Sequence, residues 1–279
     1  MLRNILLAVI FALLSLTLAL SLAGATVDDA KIHWSSTGKG KKSVILVHGG
    51  MCDESFWSRQ VPALAQKYRV ITLDLPGHGQ SGSPADGKFS MDLFARAVEA
   101  VRREAKVQKA VLVGHSMGTP VVRQYARLYP KHAAALVLVD GVVVVKAENF
   151  PAFQALAKQI AGPNGKKARE DFIRSRFTPA TTPDLQEAIL KVTMAAPEAT
   201  AVGDILSLAD LSVWKDNVST LPVLGIYAEK SQPANQEYLK IVFPNLEYVE
   251  IPGSDHFLMM EKPEEFNRLL LAFLDKVYR

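Results

Sequence analysis

Short runs of branched apolar residues alternate with stretches of helical spacing, and this alternation limits the fold more than any other feature of the chain. The runs Ser43–Val47, Arg69–Leu73 and Ala110–Val113 each stop at a turn that contains glycine or proline. Between them, apolar residues recur at the spacing of a helix face, as at residues 57–65 and 93–101. Strands and helices in this order build a parallel sheet with helices on both faces. The sequence therefore predicts a mostly parallel, doubly wound α/β sheet.

The predicted sheet continues in the second half of the chain, but a helical stretch interrupts it. Three more apolar runs are predicted to be strands: Ala134–Val139, Pro222–Tyr227 and Leu246–Ile251. Between them, residues 146–218 follow helical spacing and contain no run typical of a strand. We therefore predict one α/β core, made of residues 26–145 and 219–279, with a helical cap inserted at 146–218. Most large apolar side chains of the cap should pack against the core and some should line a pocket; examples are Phe177, Met194 and Trp214.

The N-terminus is typical of an export signal. Arg3 precedes an uncharged stretch rich in leucine and alanine, which ends near the small residues Ala23, Gly24 and Ala25. We expect residues 1–25 to be a signal peptide that is removed, so that the catalytic part is exported, either periplasmic or secreted, with no stable insertion in a membrane. The alternative is an uncleaved N-terminal anchor, because the apolar stretch is long enough to span a bilayer as a helix.

Charge and cysteine content exclude several classes of function. The formal net charge is only +4, and basic residues are scattered apart from Lys39, Lys41 and Lys42, so no nucleic-acid partner is expected. The single cysteine, Cys52, excludes an internal disulfide and a metal site built from cysteines. No dinucleotide loop or metal-ligand cluster is evident in the sequence, so no cofactor or metal is expected. The oligomeric state stays open.

Residues 114–118 read Gly-His-Ser-Met-Gly, and they join a predicted strand to a predicted helix. This is the pattern of a nucleophile elbow, in which a sharp turn leaves no room for side chains at the flanking glycines and holds the serine hydroxyl above the sheet. Ser116 is therefore the candidate nucleophile. A serine hydroxyl is a weak nucleophile until a base accepts its proton, so the chain must supply that base elsewhere.

A second glycine turn, His-Gly-Gly-Met at residues 48–51, ends the strand Ser43–Val47. Acyl transfer develops negative charge on the carbonyl oxygen of the substrate, and two fixed backbone N–H groups can stabilise this charge. We predict that the N–H groups of Gly50 and Met117 form such an oxyanion hole. Met51 is an alternative to Gly50, because the turn could present either amide.

Four motifs together resemble the α/β-hydrolase superfamily. They are His-Gly-Gly at residues 48–50, Asp-Leu-Pro-Gly-His-Gly-Gln-Ser at 74–81, Gly-His-Ser-Met-Gly at 114–118 and Gly-Ser-Asp-His-Phe at 253–257. The resemblance runs from about residue 31 to the C-terminus and covers the cap only weakly. It implies the α/β-hydrolase fold with a helical cap, and it makes His256, which follows the last strand, the general base for Ser116. The loop that begins at Asp74 is structural in this superfamily. The substrate is not implied by the fold.

The acid that should orient His256 departs from the commoner pattern of the superfamily. Similar enzymes often carry aspartate a few residues after the strand Pro222–Tyr227, where this chain reads Ala-Glu-Lys-Ser at residues 228–231. Serine stands at position 231, where aspartate is expected. Another carboxylate must therefore reach the second ring nitrogen of the histidine.

Three carboxylates are candidates for this acid. Asp140 ends the strand Ala134–Val139, and some members of the superfamily place their acid there, in the chain order Ser, acid, His. Asp140 is therefore the predicted acid, although an aspartate before glycine also stabilises turns. Glu229 keeps the same chain order and is the alternative acid. Asp255 is adjacent to the histidine and would have to bend back onto its ring.

The predicted activity is hydrolysis of a carboxylic ester by a serine hydrolase that forms an acyl-enzyme on Ser116. The expected partner is a small ester-like molecule. Alternatives on the same site are hydrolysis of a carbon–carbon bond, lactone opening and perhydrolysis. A protein that keeps the fold but only binds a ligand is a further alternative, which the serine at position 231 favours.

Overall fold

A computed structural model describes residues 24–179, 181–214, 217–229, 231 and 236–279. The predicted signal peptide lies outside the described residues except for Gly24 and Ala25. Among the described residues, no helix is both long and apolar enough to cross a membrane.

The described strands form a two-stranded hairpin and a seven-stranded sheet. In chain order they are β1 (Thr26–Val27), β2 (Ala30–Lys31), β3 (Trp34–Thr37), β4 (Ser43–Val47), β5 (Arg69–Leu73), β6 (Ala110–His115), β7 (Ala133–Val139), β8 (Val223–Ala228) and β9 (Leu246–Ile251). The order across the large sheet is β3-β5-β4-β6-β7-β8-β9. Only β3 runs antiparallel to its neighbour, and the other pairs are parallel. The predicted fold class is confirmed.

Helices alternate with the strands of the core and fill the segment between β7 and β8. They are α1 (Val61–Leu64), α2 (Met91–Glu104), α3 (Gly118–Leu128), α4 (Phe150–Ile160), α5 (Gly165–Arg174), α6 (Pro183–Ala195), α7 (Glu198–Ser207), α8 (Gln236–Val242), α9 (Leu258–Glu261) and α10 (Pro263–Val277). Short 3₁₀ helices occupy Glu54–Trp57, Ala147–Asn149 and Leu211–Val213.

The central strands form because their side chains are apolar on both faces. Every residue of β4 and β6 is buried, as expected for parallel strands between two layers of helices. The predicted bounds of β4, β5 and β9 match the observed ones. Strand β8 begins one residue later than predicted, since Pro222 has no N–H for the ladder.

Between β7 and β8, the described residues form helices and no strand, as the periodicity predicts for the cap. The division of the chain into core and cap stays a prediction. Of the apolar cap residues named above, Phe177 packs its ring 6.0 Å from the ring of Phe257. Trp214 is buried and donates from its indole nitrogen to the Leu208 carbonyl oxygen at 2.8 Å. Both side chains therefore serve packing.

Candidate active site

Ser116 lies on the turn between β6 and α3, with a φ of 52° that places it in the left-handed region. The turn is so tight that a Cβ on Gly114 would lie 2.2 Å from the carbonyl oxygen of Gly118. A Cβ on Gly118 would lie 2.5 Å from the carbonyl oxygen of Val47. The Thr119 hydroxyl stabilises the turn by donating a hydrogen bond to the Gly114 carbonyl oxygen at 2.9 Å. The glycines of the motif are therefore required by the close approach of backbone to backbone.

The structure brings together the three side chains that the sequence predicts as catalytic. The Nε2 atom of His256 lies 2.9 Å from the Ser116 hydroxyl oxygen. Its Nδ1 atom lies 2.7 Å from Oδ2 of Asp140. Because an ionised carboxylate only accepts hydrogen bonds, Nδ1 carries the proton and Nε2 is free to accept one from the serine. This is the geometry of a serine, histidine and acid triad.

Asp140 is buried directly after β7, at a φ of 41°. Its Oδ1 atom accepts a hydrogen bond from the Ala228 N–H at 3.0 Å, so each carboxylate oxygen has a partner. Burial favours the neutral form, but the hydrogen bond and the charge of His256 outweigh burial and lower the pKa of Asp140. The carboxylate is therefore ionised where it faces the imidazole.

The two alternative acids lie elsewhere. Glu229 is exposed, and its Oε2 atom accepts from the Gly253 N–H at 3.2 Å. Asp255 is buried and accepts from the Phe257 N–H at 2.8 Å and from the Thr181 hydroxyl. Among the described residues, neither carboxylate makes a hydrogen bond to the His256 ring.

The backbone N–H groups of Gly50 and Met117 have no hydrogen-bond acceptor among the described residues, and both residues line the cavity above Ser116. The N–H of Met51 is already used, because it donates to Oδ2 of Asp204 at 2.8 Å. The geometry thus favours Gly50 over Met51 as the partner of Met117 in an oxyanion hole.

Asp204 was not predicted from the sequence, and its side chain binds the loop that contains Gly50 and Met51. It belongs to cap helix α7, is buried, and accepts hydrogen bonds from the Met51 N–H and from Nε2 of His78 at 2.9 Å. Burial alone would lower the pKa of His78, but attraction to Asp204 raises it, so the two side chains form a buried ion pair. No pattern in the sequence links this carboxylate to a loop 153 residues away.

His115 binds the backbone of His256. Its Nε2 atom donates to the backbone oxygen of His256 at 2.8 Å, and the two rings lie 4.9 Å apart. Burial and repulsion from His256 lower the pKa of His115 to about 3, which keeps its ring neutral. A neutral ring at this position binds the backbone of His256 without placing a positive charge beside its imidazole.

The cavity above Ser116 encloses about 130 Å³. Its wall is mostly apolar, with side chains from the cap and the core: Val142, Phe153, Phe172, Ile173, Ile205, Leu208 and Phe257. Arg176 and Asp204 add polar groups from the cap. No group of three or more potential metal ligands occurs in the described part of the chain.

A serine at the strand-to-helix turn of a mostly parallel sheet, with an imidazole on its hydroxyl, defines a class of α/β proteins. The chain belongs to the α/β-hydrolase fold family, whose sequence model matches residues 42–263. It is 30% identical over 266 residues to the 2-hydroxy-6-oxononadienedioate/2-hydroxy-6-oxononatrienedioate hydrolase of Paraburkholderia phymatum, covering 88% of this chain and 91% of that protein. It is 26% identical to the pimeloyl-[acyl-carrier protein] methyl ester esterase of Yersinia enterocolitica, covering 87% and 97%.

A similar solved structure is a thermophilic esterase from Thermogutta terrifontis. The TM-score is 0.82 at 25% identity, with 90% of this chain and 95% of that one covered. The resemblance seen in the sequence motifs is confirmed, and the chain is a hydrolase of the α/β-hydrolase type.

Proposed function

We propose that the protein is an exported carboxylic-ester hydrolase that forms an acyl-enzyme on Ser116. The observation that carries the proposal is the continuous chain from the Ser116 hydroxyl through His256 to Asp140, with contacts of 2.9 and 2.7 Å. This arrangement also supports catalysis over the alternative that the protein only binds a ligand. That alternative depended on a missing acid, and the contact between Asp140 and Nδ1 of His256 supports Asp140 as the acid.

In the acylation step, the Ser116 oxygen attacks the ester carbonyl while its proton passes to Nε2 of His256. The carbonyl oxygen becomes an oxyanion and receives hydrogen bonds from the N–H groups of Gly50 and Met117. The carbonyl then re-forms, the carbon–oxygen bond to the alcohol breaks, and His256 returns its proton to the departing alcohol. The acyl group is left on Ser116.

In the deacylation step, water attacks the acyl carbon while His256 accepts a proton from it. The same two N–H groups stabilise the second oxyanion, and the proton then returns to the Ser116 oxygen as the acid leaves. Asp140 stays ionised throughout and stabilises the imidazolium that forms in each step.

Asp204 supports the oxyanion hole as a positioning residue. It fixes the N–H of Met51, the residue next to Gly50, and it lies on a helix of the cap. A cap that is packed on the core therefore holds the loop in one conformation. Preorganised donors of this kind need no rearrangement when the charge develops.

The direct test is covalent labelling with a fluorophosphonate together with a series of p-nitrophenyl esters of increasing acyl length. The wild-type protein should be labelled at Ser116 and should release nitrophenol. Ser116→Ala should abolish labelling and lower kcat by on the order of 10⁶. Turnover retained in this variant, at constant folding by circular dichroism, would refute the assignment of the nucleophile.

Hydrolysis of a carbon–carbon bond is the second candidate, because the relative that is 30% identical over most of both chains is named for such a reaction. The same serine, base and oxyanion hole can serve it. Loss of the ultraviolet absorbance of a 6-oxo-2,4-dienoic acid would measure this activity. A kcat/KM for that substrate well above the best ester value would replace the ester assignment.

Export is proposed from the sequence of the N-terminal segment. Ala25 is buried in the core, and its carbonyl oxygen accepts from the Ile32 N–H at 2.8 Å. Processing after Ala23, which has Ser21 two residues before it, would keep Ala25 in the mature protein, whereas processing after Ala25 would remove it. N-terminal sequencing of the protein from the extracytoplasmic fraction tests both the export and the position of cleavage.

A further inference from the structure

Arg176 brings a positive charge into the catalytic cavity. It follows helix α5 by two residues and lines the same cavity as Ser116 and His256. Its guanidinium carbon lies 4.9 Å from the centre of the Phe172 ring. Among the described residues, its guanidinium has no carboxylate partner and makes no hydrogen bond.

This lack of a partner is unusual for a half-buried guanidinium, because removing a charge from water is costly unless a counter-charge or hydrogen bonds replace the water. Burial lowers the pKa of Arg176, and attraction from Asp140 only partly opposes this. Asp140 pairs with His256 and accepts from the Ala228 N–H, and among the described residues it forms no ion pair with Arg176. The charge of the arginine is therefore left for a ligand.

Arg174, two residues earlier in the chain, differs from Arg176 in its exposure and in its ion pair. It is exposed, and its Nε atom lies 2.7 Å from a carboxylate oxygen of Glu170, one helical turn earlier. The arginine at the surface thus has a carboxylate partner, whereas the arginine in the cavity contacts the Phe172 ring but has no carboxylate partner among the described residues.

We propose that Arg176 is an anion subsite of the catalytic cavity, and that the preferred substrates are esters whose acyl chain ends in a carboxylate. This inference rests on the proposed ester hydrolysis at Ser116. The planar guanidinium matches a carboxylate in a two-pronged arrangement. The apolar wall between Ser116 and Arg176 would receive the methylene groups of the chain.

Charge and size both favour a small monoanion. Among the described residues that line the cavity, Arg176 is the one lysine or arginine. The carboxylates of Asp140 and Asp204 also line it and add negative charge. A dianion such as a phosphate monoester would exceed the single positive charge and be repelled by the carboxylates. A cavity of about 130 Å³ is close to the roughly 150 Å³ that hold one benzene molecule. A four- or five-carbon acyl chain is of that size.

The experiment compares two esters of equal shape: mono-p-nitrophenyl glutarate, which ends in a carboxylate, and p-nitrophenyl 5-methylhexanoate, which ends in an isopropyl group. Spontaneous release is subtracted with the Ser116→Ala protein. The wild type should prefer the glutarate ester in kcat/KM. Arg176→Gln should reduce the glutarate value by on the order of 10- to 100-fold and leave the methylhexanoate value within about threefold, because only the charged contact is lost.

Two matched variants and a binding measurement complete the design. Arg176→Lys keeps the positive charge but not the planar guanidinium, and it should retain part of the preference for the glutarate ester. Arg174→Gln should leave kcat/KM for both esters unchanged. Binding of monomethyl glutarate to the Ser116→Ala protein, measured by calorimetry, should weaken in the double variant that also carries Arg176→Gln.

The outcomes separate the two ideas. Turnover of the neutral ester without preference for glutarate, or an equal effect of Arg176→Gln on both esters, overturns the subsite and leaves the hydrolase. Calorimetric binding that depends on Arg176 without turnover of either ester keeps the subsite and overturns the proposed function. Equal binding with and without Arg176 overturns the subsite whatever the turnover.

Discussion

The exchange Asp140→Asn isolates the charge and the hydrogen-bonding direction of the acid. The Ala228 N–H lies 3.0 Å from Oδ1 and will hold the carbonyl oxygen of the new amide in that place. The amide NH₂ must then occupy the position of Oδ2, 2.7 Å from Nδ1 of His256. Because NH₂ only donates, Nδ1 must accept, and the ring proton moves to Nε2. Nε2 then faces the Ser116 hydroxyl as a donor, so the serine has no base.

The size of the effect follows from this change of tautomer. In a known serine triad the same exchange lowers kcat about 10⁴-fold, which corresponds to about 5 kcal/mol of transition-state stabilisation. We expect a similar loss here in the hydrolysis of p-nitrophenyl butyrate. Labelling by a fluorophosphonate should slow in parallel, since it depends on the same base. The side chains are nearly isosteric, so the free energy of unfolding should fall by no more than about 3 kcal/mol.

The matched control is Glu229→Gln, which also replaces a carboxylate by an amide. Glu229 is exposed and only accepts a hydrogen bond from the Gly253 N–H, which an amide oxygen also accepts. The activity should stay within about threefold of the wild type, because Glu229 makes no hydrogen bond to Ser116, His256 or Asp140 among the described residues. A larger loss in Glu229→Gln than in Asp140→Asn would show that the acid is Glu229.

Two further predictions concern groups around the triad. Asp204→Ala should lower kcat about 10- to 100-fold with a smaller effect on KM, because the Met51 N–H and His78 lose their acceptor and the loop that carries Gly50 loosens. Asp204→Asn keeps an acceptor oxygen and should recover part of kcat. A change in KM alone would contradict the positioning role. Burial and the neighbouring Glu261 raise the pKa of Asp255 to about 8 in the folded protein, above its value of about 3.9 in the unfolded chain, so stability falls as pH rises between these values. Asp255→Asn removes this titration. The unfolding temperature of the variant, relative to that of the wild type, should therefore be higher at pH 8.5 than at pH 5. An equal difference at both pH values would contradict the shifted pKa.

The strands of the core could be predicted because their signal is local. A buried parallel strand needs branched apolar residues on both faces, and it must stop at the turn that leads to the next helix. Ser43–Val47 and Arg69–Leu73 show both features, and their predicted bounds are the observed ones. Strand β3, Trp34–Thr37, escaped prediction because it is a half-exposed edge strand whose pairing with β5 depends on contacts distant in sequence.

The site was predictable only in part, because some of its residues are marked by local sequence patterns and others are placed by contacts distant in sequence. Ser116 stands in a local pattern, and His256 was assigned as the base through the resemblance to the superfamily, which places this histidine after the last strand. Arg176 and Asp204 lie on cap segments whose contact with the cavity is set by how the helices pack over the sheet. Helical periodicity shows which side of a helix is apolar, but it does not show which loop of the core that side will meet.

The position of the acid can be explained by the order of the strands. Ser116 follows β6 and His256 follows β9, so β7 and β8 lie between the proposed nucleophile and the proposed base. The carboxyl ends of parallel strands meet at one edge, and an acid at the end of either intervening strand can therefore reach Nδ1 of the histidine. Here β7 supplies the carboxylate of Asp140, and the end of β8 supplies the N–H of Ala228 that holds it. The last residue of β8 thus orients the proposed acid through its backbone N–H, and serine at position 231 is compatible with the proposed triad.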